Sequence, residues 1–205
     1  IGPGPQPPGV QPPAPQPSGG EEESVLSEEL PDADGFLSVG VSSYQDEDLD
    51  AITEFIESDG RTLVAVNPQQ EFTPSSGYAE LYSELGAYTE SGYVYNLEEN
   101  DLNYQRLFAE PAGSSMLTDG VDRVVFDTAT PVQAASSDER MEPIDGSVRS
   151  TTRAETDLPV LVRDGDVALV GDTGFMTPEN TQRADNDVFV GNVAEFLVGG
   201  ERTSG

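Results

Sequence analysis

Residues 36–66, FLSVGVSSYQDEDLDAITEFIESDGRTLVAV, decide the fold. Phe36–Val41 is a short apolar run of the kind that forms a buried strand. Ser42-Ser43-Tyr44 reads as a loop. Asp46-Glu47-Asp48 then sets three carboxylates at the start of a helix, where unpaired backbone amides favour negative charge. Leu49, Ile52, Phe55 and Ile56 follow on one face at helical spacing. Gly60 is expected to end that helix just past its cap, and Thr62–Val66 forms the next strand. A strand, helix and strand in this order predict a parallel pair joined by a right-handed crossover.

Working outward, the C-terminal part is the clearest. Leu158–Arg163 and Asp166–Val170 are apolar runs joined by Asp164-Gly165, a tight-hairpin signal. Gly171-Asp172-Thr173-Gly174-Phe175 reads as a turn at the end of the second strand. Asp187–Val198 is expected to be the last helix, with Asp187 or Asn186 as its N-cap. Its inward residues are Val190, Val193, Ala194 and Leu197, and Gly199-Gly200 ends it. Between these regions, Tyr78–Leu85 reads as a helix. Tyr93–Tyr95, Val121–Phe126 and Val148–Thr152 read as strands, Asn103–Pro111 as irregular and Ala134–Gly146 as an exposed loop. Strands alternating with helices predict an α/β fold: a Rossmann-like layered sheet with flanking helices and a C-terminal hairpin plus helix.

Composition divides the chain into three parts. Residues 1–32 open with IGPGPQPPGVQPPAPQPSGG and continue through Glu21-Glu22-Glu23, a Pro/Gly/Gln-rich and then acidic spacer favouring polyproline II. Residues 33–200 form a single domain, long enough for a sizeable core, and 201–205 are a tail. The spacer either holds the domain away from a cell envelope or serves as an arm that docks on a neighbour. Position 1 is Ile rather than Met, which suggests a processed product or a fragment.

Charge restricts the setting. The nine basic residues are all arginine, set against 39 Asp and Glu, for a net charge of -30 over 205 residues. In dilute buffer such a body repels itself, whereas in molar salt the screening length falls to about 3 Å and the repulsion largely disappears. Acid-rich, lysine-free composition therefore predicts a halophile's protein, haloarchaeal and extracellular or at the cell surface. Nucleic acid, which needs a basic surface, is excluded as a partner, and anionic membrane surfaces are disfavoured. Nothing approaches the roughly 20 apolar residues of a membrane-spanning helix. The expected partner is a protein at the cell surface or further copies of the chain.

Chemistry is restricted as well. Cysteine, histidine and lysine are all absent, which removes Ser–His–Asp and Cys–His nucleophiles, His-ligated zinc, Lys-bearing phosphate loops and Schiff bases. Carboxylates, hydroxyls, arginine and hard-cation binding remain. The Gly171–Gly174 turn lies at a strand's carboxyl end, the edge where open α/β sheets bind ligands. Asp172, Thr173 and Asn186 are accordingly the candidate ligand-binding residues. The alternative for Asp172 is that it pins its own turn. Asp172, Asp185 and Asp187 are the oxygen donors that Ca²⁺ or another hard cation would use, although their spacing is not that of a twelve-residue calcium loop. No cofactor and no catalytic residue are expected. The tyrosines Tyr78, Tyr82, Tyr88, Tyr93, Tyr95 and Tyr104 either fill the margin of a core or form an aromatic platform.

Three segments carry a family resemblance: Leu49–Val66, Leu117–Val124 and Val170–Leu197. Within the last, Gly171-Asp172-Thr173-Gly174-Phe175 is followed by Asp185-Asn186-Asp187-Val188-Phe189 and by Asn192, Phe196 and Leu197. Over residues 34–199 the chain resembles domain-of-unknown-function family 4350, common in haloarchaeal envelope proteins. That resemblance implies a fold similar to class I glutamine amidotransferases and to the soluble domain of gliding-motility and ABC-transport accessory proteins. It implies a structural role for Gly171, Gly174, Phe175, Asp187, Phe189 and Asn192, and it carries over no catalysis, since the amidotransferase Cys and His have no counterpart here. The expected function is a non-catalytic binding or assembly module of a halophilic envelope. The alternatives are a subunit of an extracellular filament whose N-terminal arm docks on a neighbouring copy, and a carboxylate-based hydrolase with two carboxyl groups about 5–10 Å apart.

Overall fold

The computed structural model describes residues 24–41, 44–66, 81–83 and 85–199. The Pro-rich tract, the Ser42-Ser43 loop, half of the Tyr78–Leu85 helix and the 201–205 tail lie outside the described residues.

The strand–helix–strand unit forms as expected. Strand β1 (Gly35–Val39) and strand β2 (Arg61–Ala65) pair in parallel, with Leu37 opposite Leu63 and Val39 opposite Ala65. Helix α2 (Asp46–Glu57) joins them, burying Leu49, Ala51, Ile52 and Phe55. Its start carries a capping box, in which Gln45 and Asp48 satisfy each other's backbone amides. Its end differs from expectation. Ser58 is the C-cap, and Asp59 rather than Gly60 takes the left-handed conformation, at φ 61°. Gly60 is buried and donates its N–H to Phe55 O at 2.9 Å. Ahead of this unit, helix α1 (Val25–Glu29) and a 3-10 turn (Leu30–Asp32) bring Leu30 into the core beside Leu49 and Ile52. The folded unit therefore begins before residue 33, the boundary drawn from composition.

Nine further strands lie among the described residues. They are β3 (Ala87–Thr89), β4 (Val94–Tyr95), β5 (Arg106–Pro111), β6 (Val124–Asp127), β7 (Val132–Ala134), β8 (Glu139–Pro143), β9 (Val148–Arg149), β10 (Leu161–Asp164) and β11 (Val167–Val170). The main sheet has seven strands in the order β1-β2-β11-β10-β8-β5-β6, and β3-β7 and β4-β9 are separate pairs. β11 is parallel to β2, and every pairing beyond β11 is antiparallel. The sheet is thus mixed, with a parallel half at β1, β2 and β11. The β10–β11 hairpin forms at the expected turn, where Gly165 has φ 55°.

Two expectations are corrected. Residues 103–111, expected to be irregular, contain β5, and the expected loop 134–146 contains β8, which lies between β10 and β5. One of the acids that gave 134–146 an exposed look is absorbed by pairing. Glu139 is 4% exposed, accepts the Leu117 N–H at 3.1 Å and pairs with Arg163 Nε at 2.5 Å.

Two cores sandwich the sheet, and strand alternation sorts residues between them. Leu63, Ala65, Leu161, Ala168 and Val170 face one side. Val64, Val66, Val162 and Leu169 face the other, against α2. The first side is covered by helix α3 (Asn186–Val198), which buries Asn186, Phe189, Val193 and Phe196. Val190 and Leu197 are partly buried against this core, but Ala194, expected inward, is exposed. The helix reaches both ends of the sheet, contacting β6 as well as β1 and β2. A flat seven-stranded sheet would be about 29 Å wide, whereas Asn186 to Leu197 rises only about 17 Å along a helix. The sheet must therefore curl around α3. At the β1 end the fit is close, because a Cβ on Gly35 would lie 2.4 Å from Leu197 O.

Candidate functional site

The strand-end turn after β11, the N-terminus of α3 and the outer edge of β6 come together. β6 is the last strand of the sheet, so its alternate residues Val125 and Asp127, with Arg123 just before it, direct backbone groups away from β5. All three are met by the turn and the helix start. Asp185 donates its N–H to Arg123 O at 3.0 Å, and its Oδ2 accepts the N–H groups of Asp122 at 2.9 Å and Arg123 at 3.0 Å. Asn186 Oδ1 accepts the Val125 N–H at 2.7 Å while its Nδ2 donates to Val125 O at 2.9 Å. Asp172 Oδ2 accepts the Asp127 N–H at 2.9 Å. Side chains thus supply the hydrogen bonds that an eighth strand would have made, which closes an edge otherwise open to aggregation.

Asp172 also shapes its own turn. Oδ1 accepts the Gly174 N–H at 2.7 Å, and Oδ2 accepts that of Phe175 at 3.1 Å. The carboxyl is only 2% exposed. Burial pushes its pKa up to about 6, although the three amide hydrogen bonds pull the other way. Gly171 is fixed by close approach: a Cβ there would lie 1.8 Å from Thr130 O. Its N–H donates to Val160 O and its C=O accepts from Thr130, each at 2.8 Å. Phe175 and Phe189 pack beneath with Phe126, their ring centroids 5.1 to 6.2 Å apart.

The remaining expected residues fall around this knot. Thr173 is half-buried beside Asp172. Asn192 Nδ2 donates to Leu117 O at 3.0 Å and Asp119 O at 2.8 Å, tying α3 to the loop before β6. Asp187 is exposed in the first turn of α3, whose N-cap is Asp185 rather than Asp187 or Asn186. The N-cap position is shifted because Asn186 is drawn onto Val125. Among the described residues, no three acidic side chains converge as a metal site. Residues not singled out from sequence include Asn180, whose Nδ2 donates to Gly174 O at 2.9 Å, and Val125 and Asp127, which contribute backbone. Only the expected strand Val121–Phe126 hinted at Val125, and Asp127 lay just beyond it.

Two other features bear on function. A concavity of about 210 Å³, separate from the knot, is lined by Gln133, Ser137, Arg140, Glu142 and Asp157 among others. The tyrosines divide: Tyr82 is core, Tyr88 is exposed, and Tyr95 packs against Tyr93 at 6.1 Å and Tyr104 at 5.8 Å. Tyr78 lies outside the described residues.

No family model matches the chain, and no curated protein matches it in sequence. Solved structures share its fold. The N-terminal domain of mmIFT52 is similar at TM-score 0.68 and 13% identity, over 87% of this chain and 82% of that one. A ThuA-like protein from Bacteroides uniformis is similar at TM-score 0.59 and 13% identity, over 87% and 74% of the two chains. The chain has a layered α/β fold of this kind. At such identity the likeness concerns architecture, and function has to be argued from the site.

Proposed function

We propose that the protein is a non-catalytic binding or assembly module of a halophilic cell envelope, related to family 4350. One observation carries this reading: the turn that would hold a ligand in an open α/β sheet is spent on the protein's own backbone. Both oxygens of Asp172, together with Oδ1 and Nδ2 of Asn186, are engaged by main-chain groups of β6 and the turn. With no Cys, His or Lys in the chain, the common nucleophiles and bases are missing as well. The acid-rich, lysine-free composition supports a setting in brine, and the Pro-rich tract at residues 1–20 supports display on a spacer.

The test has two arms. Protease treatment of intact source cells should remove the protein, and a screen of ester, phosphoester, glycoside and peptide substrates in molar salt should give no turnover. Protection until lysis would overturn surface display. Turnover abolished by substituting Glu142 or Asp157 would overturn the non-catalytic reading in favour of a carboxylate hydrolase at the concavity.

A further inference from the structure

The two edges of the main sheet are treated in opposite ways. β6 is closed by Asp185, Asn186 and Asp172, whereas β1, at the other end, has no neighbouring strand among the described residues. Gly40 donates its N–H to Ala65 O at 2.9 Å, so the even-numbered residues of this segment face β2. By strand alternation, the amides and carbonyls of Gly35, Leu37 and Val39 point outward. The side chains of Leu37 and Val39 are 43% and 44% exposed. They lie on the same face as their partners Leu63 and Ala65, which belong to the core under α3. The strand GFLSV carries no charge, no proline and no bulge, three devices that usually protect an edge.

We infer that β1 is the contact edge of a two-fold dimer, in which Gly35–Val39 pairs antiparallel with the same strand of a second copy. The sequence is self-complementary in that register. Centring the pair on Leu37 sets Leu37 against Leu37 and Val39 against Gly35, so the bulky side chain meets the position without one. The outward groups of residues 35, 37 and 39 on both strands then exchange about six hydrogen bonds. Charge favours the same register. Asp34 of one copy falls opposite Gly40 of the other, so the acid flanking the strand does not meet its own image. Leu37 and Val39 extend the α3-side core across the axis, and two seven-stranded sheets become one. Two bodies of charge -30 repel each other in dilute buffer, so the dimer belongs to high salt.

This inference takes the assembly reading as its setting, yet the two fail separately. A monomer ends the dimer and leaves surface display standing, whereas failed display leaves the dimer untouched. The experiment is analytical ultracentrifugation of the full chain in about 1 M salt, where screening is nearly complete, with Leu37→Lys as the disrupting variant. The expected result is a concentration-dependent dimer that Leu37→Lys removes while the circular dichroism spectrum is kept. Should Leu37→Lys fail to fold, the absence of native cysteine supplies a second measurement. Leu37→Cys should be joined to its own copy by a short bis-maleimide, and Asp187→Cys, at the other edge, should not. A monomer at every concentration, equal cross-linking of both cysteine variants, or a monomer that pairs only with an added GFLSV peptide would each overturn the second-copy assignment.

Discussion

Asn186 brackets a single residue of the neighbouring strand, accepting the Val125 N–H at 2.7 Å and donating to Val125 O at 2.9 Å. A side-chain amide here reproduces what a paired strand would provide, at a position that is 0% exposed. Asn186→Ala would leave a buried donor and a buried acceptor unpaired. We expect it to lower stability by about 3 kcal/mol, from roughly 1–3 kcal/mol per orphaned group. Urea denaturation in molar salt measures this. A loss below about 0.5 kcal/mol, the usual range for a surface substitution, would show that water replaces the bracket.

Asp172 predicts a pH dependence. Burial raises its pKa from 3.8 to about 6, so the folded protein binds this proton more tightly than the unfolded chain does. Its contribution to stability is therefore greatest below pH 3.8, declines as pH rises towards about 6, and is constant above that. Asp172→Asn removes the titration and also offers an NH₂ group to amides that need an acceptor. In molar salt the variant should melt below wild type throughout, with a gap that narrows from pH 3.8 to 6. A gap that widens with pH would contradict the raised value.

Glu139 and Arg163 form a pair that is hard to break from one side. The carboxylate side chain is 2% exposed and that of Arg163 is 19%. Arg163→Leu leaves a buried charge without its cation and should cost about 3–5 kcal/mol. The double variant Glu139→Leu/Arg163→Leu should cost clearly less. A double-mutant cycle on denaturation midpoints checks this, and additive losses would refute it.

Gly171 admits no side chain, since a Cβ would lie 1.8 Å from the Thr130 carbonyl oxygen. Gly171→Ala has to move one backbone segment away from another and should cost several kcal/mol, in the range that marks a named structural fault. Gly191→Ala, where nothing lies within 4 Å of the added carbon, serves as the control and should be neutral or stabilising. Equal effects would show that the close approach relaxes freely.

Salt should govern stability as a whole. With a net charge of -30, the melting temperature should rise steeply between about 0.1 M and 1 M salt as screening shortens. An unchanged melting temperature would remove the case for a brine-adapted surface.

Much of this architecture was legible in the residues. The β1–α2–β2 unit, the Asp164-Gly165 hairpin and the last helix all carry local signals: an alternation, a helical stripe, a turn dipeptide. β5 and β8 do not. Their charged residues, Arg106, Glu110, Glu139, Arg140 and Glu142, hide the alternation until ion pairing is known. Arg106 is buried, with Asp101, Asp127 and Glu179 within 3.8 Å, and no local pattern announces a partner as distant in sequence as Glu179. The site was half legible. Asp172 and Asn186 stood out by position, and the reading of Asp172 as a turn pin was available. That both residues also close β6 depends on Val125 and Asp127, which contribute backbone rather than a distinctive side chain.

The place of β11 sets the order in which the molecule can be made. It is the last of the described strands in chain order, yet it sits between β2 and β10 and links the parallel half of the sheet to the antiparallel half. Without residues 167–198, β1-β2 and β10-β8-β5-β6 have no connecting strand among the described residues and no α3 for the sheet to wrap. Closure therefore waits until residue 198 has emerged, and a truncation that removes residues 167–198 should abolish the fold rather than trim it.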